Sequence, residues 1–227
     1  MWYSHNMPSK NTIRNFDVNS MYHVYNRGNN KRDIFLDDKD YVVFLSYLKF
    51  ALLTDRESNE LPKIDTQLIS SAARFNMRRL GLQGKLELVS YCLMPNHFHL
   101  QFFQYDINAI EKLMRSVMTG YVAYFNKRHD CSGGLFQGTY KASHINTEGY
   151  WQHISRYIHL NPIDLGVNFN NYKYSSYKYY SGEAKAEWMQ PSKGMSDMNS
   201  KEYKDFLDSW LDKRKDMKFL KEILADQ

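Results

Sequence analysis

The chain has 227 residues, of which 43% are hydrophobic and 24% charged, with a formal net charge of +5. These proportions exclude wholesale disorder, and the mild positive charge is compatible with a phosphate-bearing partner. Two cysteines exclude a disulfide-rich scaffold and a multi-cysteine zinc site, and the apolar runs are too short to cross a membrane.

Residues 1–19 are polar and irregular and are predicted to form an arm without the apolar region of a signal peptide, so we expect a cytoplasmic protein. Residues 21–25 are aromatic and β-branched, which predicts a strand, and a turn with three basic residues follows it. Acidic residues from Asp37 to Asp40 precede apolar residues at helical spacing, which predicts a helix over about 38–53. The next stretch, 55–84, is mixed, with a short helix predicted at 65–80.

Residues 85–94 and 97–103 are predicted to be strands separated by the Pro95-Asn96 break. The later elements alternate: helix 106–128, strand 139–145, and a helix ending near Leu160 before Asn161-Pro162. Residues 166–186 are predicted to be loop-like and 201–225 helical. Because strands and helices alternate and few of the helices are long, the sequence predicts an α+β protein.

The segment His97-Phe98-His99 carries the first chemical signal. Side chains two residues apart on a strand point to the same face, so both imidazoles would lie side by side, a spacing that one metal ion can bridge. Phe98 and Leu100 would then point to the opposite face, into the core. An ordinary surface or hydrogen-bonded histidine pair is the alternative.

A second signal lies in the helix that ends before Pro162. Tyr157 and Asn161 are four residues apart and share a helix face, with Tyr150 two turns before Tyr157 on nearly the same face. A tyrosine can act as a covalent nucleophile, and an amide oxygen can bind a hard metal ion. The alternatives are a tyrosine that only packs and an asparagine that only ends the helix.

Several nucleotide and metal motifs are missing from the sequence. It contains no G-x-x-x-x-G-K-[ST], G-x-G-x-x-G, H-E-x-x-H or C-x-x-C. These absences argue against a P-loop NTPase, a dinucleotide enzyme, a zincin and a zinc deaminase. We therefore expect no nucleotide cofactor.

Five ordered segments resemble the single-tyrosine HUH transposases (the IS200-like family), and most closely the branch of REP-associated tyrosine transposases. They are YHVYNRGN at 22–29, YCLMPNHFHL at 91–100, YFNKRH at 124–129, GLFQG at 134–138 and RYIHLNP at 156–162. The run Tyr174-Ser175-Ser176-Tyr177 is also typical of this branch. The resemblance covers about residues 20–178.

The resemblance implies a ferredoxin-like α+β fold, an antiparallel sheet with helices packed on one side. We expect an N-terminal arm at 1–19, a catalytic domain at 20–165, and a C-terminal extension at 166–227, loop-rich and then helical. Residues 179–227 have no counterpart in the family pattern. The resemblance favours a monomer over a dimer.

The resemblance also implies an activity, cleavage and rejoining of single-stranded or hairpin DNA through a 5′-phosphotyrosine intermediate with Mg²⁺ or Mn²⁺. His97 and His99 match the metal-binding pair, Asn161 the polar third ligand, and Tyr157 the nucleophile, with Tyr150 as its rival. No ATP is needed, because the covalent bond conserves the phosphoester energy.

Basic side chains are candidates for contacts with DNA phosphates, although each could be an ordinary solvated charge. The candidates are Arg27, Lys31, Arg32, Arg115, Lys127, Arg128 and Lys141. Aromatic residues at 121–125 and 172–180 could stack on unpaired bases or form core. Two other functions fit the same fold: a regulator that binds DNA but no longer cuts it, and an HUH nickase, which often carries paired tyrosines.

Overall fold

The computed structural model describes residues 16–53, 80–185 and 187–211. Within these ranges a four-stranded antiparallel sheet has the order β2-β3-β1-β4. The strands are β1 (Ser20–Arg27), β2 (Leu86–Met94), β3 (His97–Gln104) and β4 (Lys141–Ile145). The α+β prediction is confirmed, and each strand lies where the hydrophobic pattern placed one.

The described ranges also contain six helices. They are α1 (Asp38–Leu52), α2 (Ala109–Arg128), α3 (Trp151–Leu160), α4 (Tyr177–Tyr180), α5 (Pro191–Met195) and α6 (Ser200–Leu211). Short 3-10 turns occur at Asn29–Lys31, Glu148–Tyr150, Asn161–Leu165 and Phe169–Asn171. Helix α1 begins as predicted, because the Asp37 carboxylate accepts hydrogen bonds from the backbone N–H groups of Lys39 and Asp40.

Helices α1 and α2 cover one face of the sheet and form the main core with it. Phe98, Leu100 and Phe102 of β3 are buried there with Phe44 of α1 and Tyr121 of α2. Tyr124 and Phe125 of α2 are buried in the same core, so this aromatic group packs inside the protein. The predicted packing of helices on one side of the sheet corresponds to α1 and α2.

Helix α3 lies on the other face of the sheet. Its Ile154 and Ile158 pack against Met21 of β1 and against Val89 and Cys92 of β2 in a second, smaller core. The sheet is therefore covered by helix on parts of both faces, which adds to the one-sided arrangement implied by the resemblance. This second face carries the predicted histidine pair.

The segment after residue 173 closes the outer edge of β2. The Ser176 N–H donates to the Tyr91 carbonyl at 2.9 Å, and the Leu93 N–H donates to the Tyr174 carbonyl at 3.0 Å. Further along, the Gln190 N–H donates to the Leu88 carbonyl at 2.9 Å. Much of the predicted loop-like region thus packs against the sheet. The domain division at 165/166 stays a prediction.

Three predictions lie outside the described residues: most of the arm, nearly all of the helix at 65–80, and the end of the C-terminal helical segment beyond 211. Among the helices that the structure does describe, none is both long enough and apolar enough to cross a membrane.

Candidate functional site

The predicted histidine pair lies at the start of β3, on the face that α3 covers. The strand alternates as expected, because Phe98 and Leu100 are fully buried in the opposite core. The rings of His97 and His99 have their centroids 5.0 Å apart and are nearly perpendicular, at 84°. His99 is buried and His97 half-buried.

A cavity of about 130 Å³ opens beside the two histidines. Side chains from three strands and one loop line it. In addition to His97 and His99, they are Tyr25, Asn26, Arg27, Gln137 and Lys141. The sequence analysis identified four of these seven residues. It missed Tyr25, Asn26 and Gln137, which come from β1 and from the loop before β4.

The ring nitrogens of the pair are held by neighbouring side chains. Nδ1 of His97 lies 2.6 Å from Oδ1 of Asn96, and a carbonyl oxygen only accepts, so the proton is on Nδ1 of His97. Nδ1 of His99 lies 2.9 Å from Nε2 of His23. A metal ion would bind Nε2 of each ring. Metal-binding histidines commonly hydrogen-bond through their second nitrogen in this way, so the pair fits a divalent cation.

The third predicted ligand, Asn161, lies just after α3 and is buried. Its Nδ2 donates to the Tyr157 carbonyl at 2.9 Å, and Asn161 does not line the cavity. The amide side chains that do are Asn26 and Gln137, and Asn26 is bonded to backbone groups of Arg27 and Gly138. Among the described residues, no group of three or more His, Cys, Asp or Glu side chains is placed so that it could hold a metal ion.

The two candidate nucleophiles occupy different environments. The Tyr157 ring meets the His99 ring edge to face, with centroids 5.4 Å apart, and only 1% of Tyr157 is exposed. Tyr150 lies just before α3, with 51% of its surface exposed, and its ring is next to His153. Seven helical residues span about 10 Å. The structure thus brings the ring of Tyr157, and not that of Tyr150, against His99.

Two of the predicted DNA-contacting residues belong to the cavity. Arg27 follows His23 and Tyr25 on the same face of β1, and Lys141 starts β4 with its Nζ 5.9 Å from the Tyr25 ring centroid. Lys31 and Arg32 lie in the turn after β1, where Asn96 donates to the Lys31 carbonyl at 3.2 Å. Arg27 and Lys141 therefore lie beside the histidine pair, whereas the Arg32 guanidinium lies over the Phe125 ring of α2, 5.6 Å from its centroid.

The remaining predicted basic residues all belong to α2. Arg115 pairs with Glu111, four residues earlier, and Lys127 is exposed in the last turn. Arg128 binds Asp37 at 2.5 Å and the buried Asp40 at 2.6 Å, and these carboxylates raise the Arg128 pKa. Arg115 and Arg128 thus pair with carboxylates of their own chain.

Helix α3 is held from its outer side by α6. The guanidinium of Arg156 is buried between the rings of Phe206 and Trp210, at 4.0 and 3.7 Å from their centroids. Burial lowers the pKa of Arg156 to about 9. The Tyr203 hydroxyl of α6 donates to Ser155 Oγ at 3.0 Å. The two residues that directly precede Tyr157 in sequence, Ser155 and Arg156, therefore contact the C-terminal extension.

His159, also on α3, is buried between two hydroxyl groups. Its Nδ1 lies 2.8 Å from the Tyr203 hydroxyl and its Nε2 lies 2.7 Å from Ser176 Oγ. Burial disfavours the charged imidazolium and lowers the His159 pKa from 6.5 to about 3. The folded protein therefore holds a neutral His159 at any pH well above 3.

This buried histidine predicts a pH dependence of stability. Below pH 6.5 His159 is protonated in the unfolded chain but stays neutral in the folded protein. Protonation therefore stabilises the unfolded chain, and the free energy of unfolding falls as pH drops from 6.5 towards 3. The free energy of unfolding should fall by about 2 kcal/mol between pH 7.5 and 5 through this residue. Urea denaturation at both pH values measures this change. In His159→Gln, the fall in the free energy of unfolding should be smaller than in the wild type by about that amount. An equal drop in both proteins would contradict the assignment.

The chain is similar to a known protein family and to a solved structure. A family model described as "Transposase IS200 like" matches residues 43–161, which is more than half of the chain. No curated protein matches the chain. A solved structure of a REP-associated tyrosine transposase bound to a REP hairpin is 11% identical, with a TM-score of 0.48. The alignment covers 77% of this chain and 93% of that one.

Proposed function

Because the chain belongs to the family of IS200-like transposases, we propose that it cleaves and rejoins single-stranded or hairpin DNA through a covalent bond to Tyr157. One observation carries this proposal: the ring of Tyr157 lies against His99, on the face of the sheet where His97 and His99 meet. A nucleophile and a phosphate-binding site have to be adjacent for such a reaction.

The proposed reaction exchanges one phosphoester for another. The Tyr157 oxygen attacks the phosphorus and loses its proton, a bond forms between them, and the DNA 3′ oxygen leaves and is protonated to a 3′-hydroxyl. The product is a 5′-phosphotyrosine. A 3′-hydroxyl from another DNA end then attacks this ester, joins the strands and returns the tyrosine. Since the number of phosphoester bonds is unchanged, no nucleotide cofactor is required.

A divalent cation, Mg²⁺ or Mn²⁺, would be held by His97 and His99 with an amide oxygen from Gln137 or Asn161. When bound, it would polarise the scissile phosphate and fix its orientation. Imidazole ligands favour softer ions than Mg²⁺, so Mn²⁺ is expected to support activity at least as well. Arg27 and Lys141, which line the same cavity, would neutralise the phosphates on either side.

The anchoring of α3 by residues of its own chain supports a protein that acts as a monomer. Tyr203, Phe206 and Trp210 hold the helix that carries Tyr157. An exchange of this helix between two copies would break these buried contacts. The site would then be complete within one chain.

The burial of Tyr157 favours a second candidate, a DNA-binding regulator on the same fold that does not cut. With 1% of Tyr157 exposed, a phosphate can reach its hydroxyl only after the surrounding side chains move. The transposase reaction would require this movement when DNA binds, whereas a regulator would not.

The decisive experiment detects the covalent intermediate. The purified protein is incubated with hairpin and single-stranded DNA from the sequences that flank its gene, labelled at the 5′ or the 3′ end, with Mn²⁺, Mg²⁺ or EDTA. Denaturing gels should show protein linked only to the 3′-labelled fragment, and EDTA should abolish it. Binding of these DNAs without any linked product would favour the regulator.

A further inference from the structure

His23 of β1 is a third histidine beside the pair, and the sequence analysis did not single it out. Its side chain is fully buried, as is that of His99. Nε2 of His23 lies 2.9 Å from Nδ1 of His99, and the two rings are stacked at 16° with centroids 5.0 Å apart. Two buried imidazoles are therefore joined by one hydrogen bond.

The surroundings fix the ring of His23 in place. Tyr25 stacks on it at 4.9 Å and 17°, and the Tyr157 ring meets it edge to face at 6.0 Å. In the strand register, Tyr25 lies opposite His99, so His23 is the diagonal neighbour of His99 on the same face. The hydrogen bond is thus set by the pairing of β1 with β3, not by a mobile loop.

A hydrogen bond between two neutral imidazoles has only two arrangements. Either His99 donates from Nδ1 to Nε2 of His23, or His23 donates from Nε2 to Nδ1 of His99. In the second arrangement the proton of His99 is on Nε2, which cannot then coordinate a cation. Only the first arrangement leaves His99 able to bind a metal through Nε2.

We propose that His23 is a positioning residue that accepts the Nδ1 proton of His99 and so holds the tautomer in which Nε2 of His99 ligates a divalent cation. Asn96 does the same for His97, since its Oδ1 accepts at 2.6 Å while its Nδ2 donates to the Lys31 carbonyl. Both rings would then present Nε2. This inference rests on the metal site of the proposed function and assigns it a supporting residue outside the H-x-H motif.

The test compares two substitutions at one position. His23→Phe keeps an aromatic ring against Tyr25 but removes the acceptor, whereas His23→Gln keeps an acceptor oxygen near the place of Nε2. Mn²⁺ affinity, measured by calorimetry without DNA, should fall about 10- to 100-fold in His23→Phe. It should recover at least in part in His23→Gln. Ser90→Ala is the matched control, since Ser90 is buried on the same sheet and bonds Gln101 instead.

A second measurement reads the tautomer directly in the metal-free protein. Long-range ¹H–¹⁵N spectra of the imidazoles should show His99 protonated on Nδ1 in the wild type, and this signature should change in His23→Phe but not in Ser90→Ala. Nε2 protonation in the wild type, or a His23→Phe affinity within about twofold of wild type, would overturn the proposal.

The metal site itself is checked by His97→Ala and His99→Ala. If both lose Mn²⁺ binding while His23→Phe keeps it, only the role of His23 is wrong. If neither loses it, the metal site of the proposed function is wrong, and the role of His23 falls with it.

Discussion

Replacing Tyr157 by Phe is expected to abolish the covalent protein–DNA product while leaving DNA binding intact. Phenylalanine keeps the ring that packs against His99 and the apolar residues around it, but it has no oxygen to bond to phosphorus. Denaturing gels should show no linked DNA, and a filter or gel-shift assay should show affinity close to that of the wild type.

Tyr150→Phe is the matched control, because it makes the same chemical change seven residues away on an exposed side chain. Its linked product should equal that of the wild type. A product lost only in Tyr150→Phe would keep the reaction and reassign the nucleophile. A product that persists in both variants would show that neither tyrosine forms the bond.

The local part of the site could be predicted from the sequence because it depends on strand periodicity alone. Alternation along β3 puts His97 and His99 on one face and Phe98 and Leu100 on the other, and the structure has this arrangement. The same period-two pattern in β1 puts His23 and Tyr25 on one face of the sheet. The signal that could have revealed His23 was therefore present, but its significance depends on the register between β1 and β3.

Contacts between distant segments are what the sequence could not supply. Gln137 reaches the cavity from a loop, 38 residues after His99, and no local pattern indicates where that loop lies. Arg128 was predicted to contact DNA, yet it binds Asp37 and Asp40, which lie 91 and 88 residues earlier. A basic residue shows its charge in the sequence, whereas its partner is set by the packing of α2 against α1.

The C-terminal extension illustrates the same limit on a larger scale. Its Tyr-, Asn- and Ser-rich composition predicts loops, and parts of it are indeed irregular. However, Tyr174, Ser176 and Gln190 form backbone hydrogen bonds with the edge of β2, and edge pairing leaves no periodic signal in sequence. The apolar spacing of 201–225 did predict a helix, and α6 confirms it over Ser200–Leu211.

The contact between α6 and α3 predicts a large effect for Tyr203→Ala. Tyr203 is fully buried, its ring packs 4.7 Å from that of Tyr180, and its hydroxyl bonds both Ser155 and His159. The substitution should lower the free energy of unfolding by about 3–5 kcal/mol, because it opens a cavity and leaves two buried groups short of a partner.

Tyr203→Phe separates the two contributions, since it keeps the ring and removes only the hydroxyl. Its cost should be about 1–3 kcal/mol, the usual cost of leaving buried polar groups unsatisfied. Urea denaturation at pH 7.5 measures both variants. Two equal losses would assign the anchoring to the hydroxyl alone, and a loss below about 1 kcal/mol in Tyr203→Ala would contradict the packing.

The anchoring also has a consequence for the reaction. Ser155, Arg156 and His159 flank Tyr157 and contact α6 or its neighbours, so weakening α6 should loosen the helix that presents the nucleophile. Under conditions where Tyr203→Ala is still folded, its α3 amides should exchange hydrogen faster than those of α2. Its yield of linked DNA should fall, whereas its Mn²⁺ affinity, which depends on β1 and β3, should stay unchanged. A parallel fall in both would mean that the whole sheet, and not α3 alone, depends on α6.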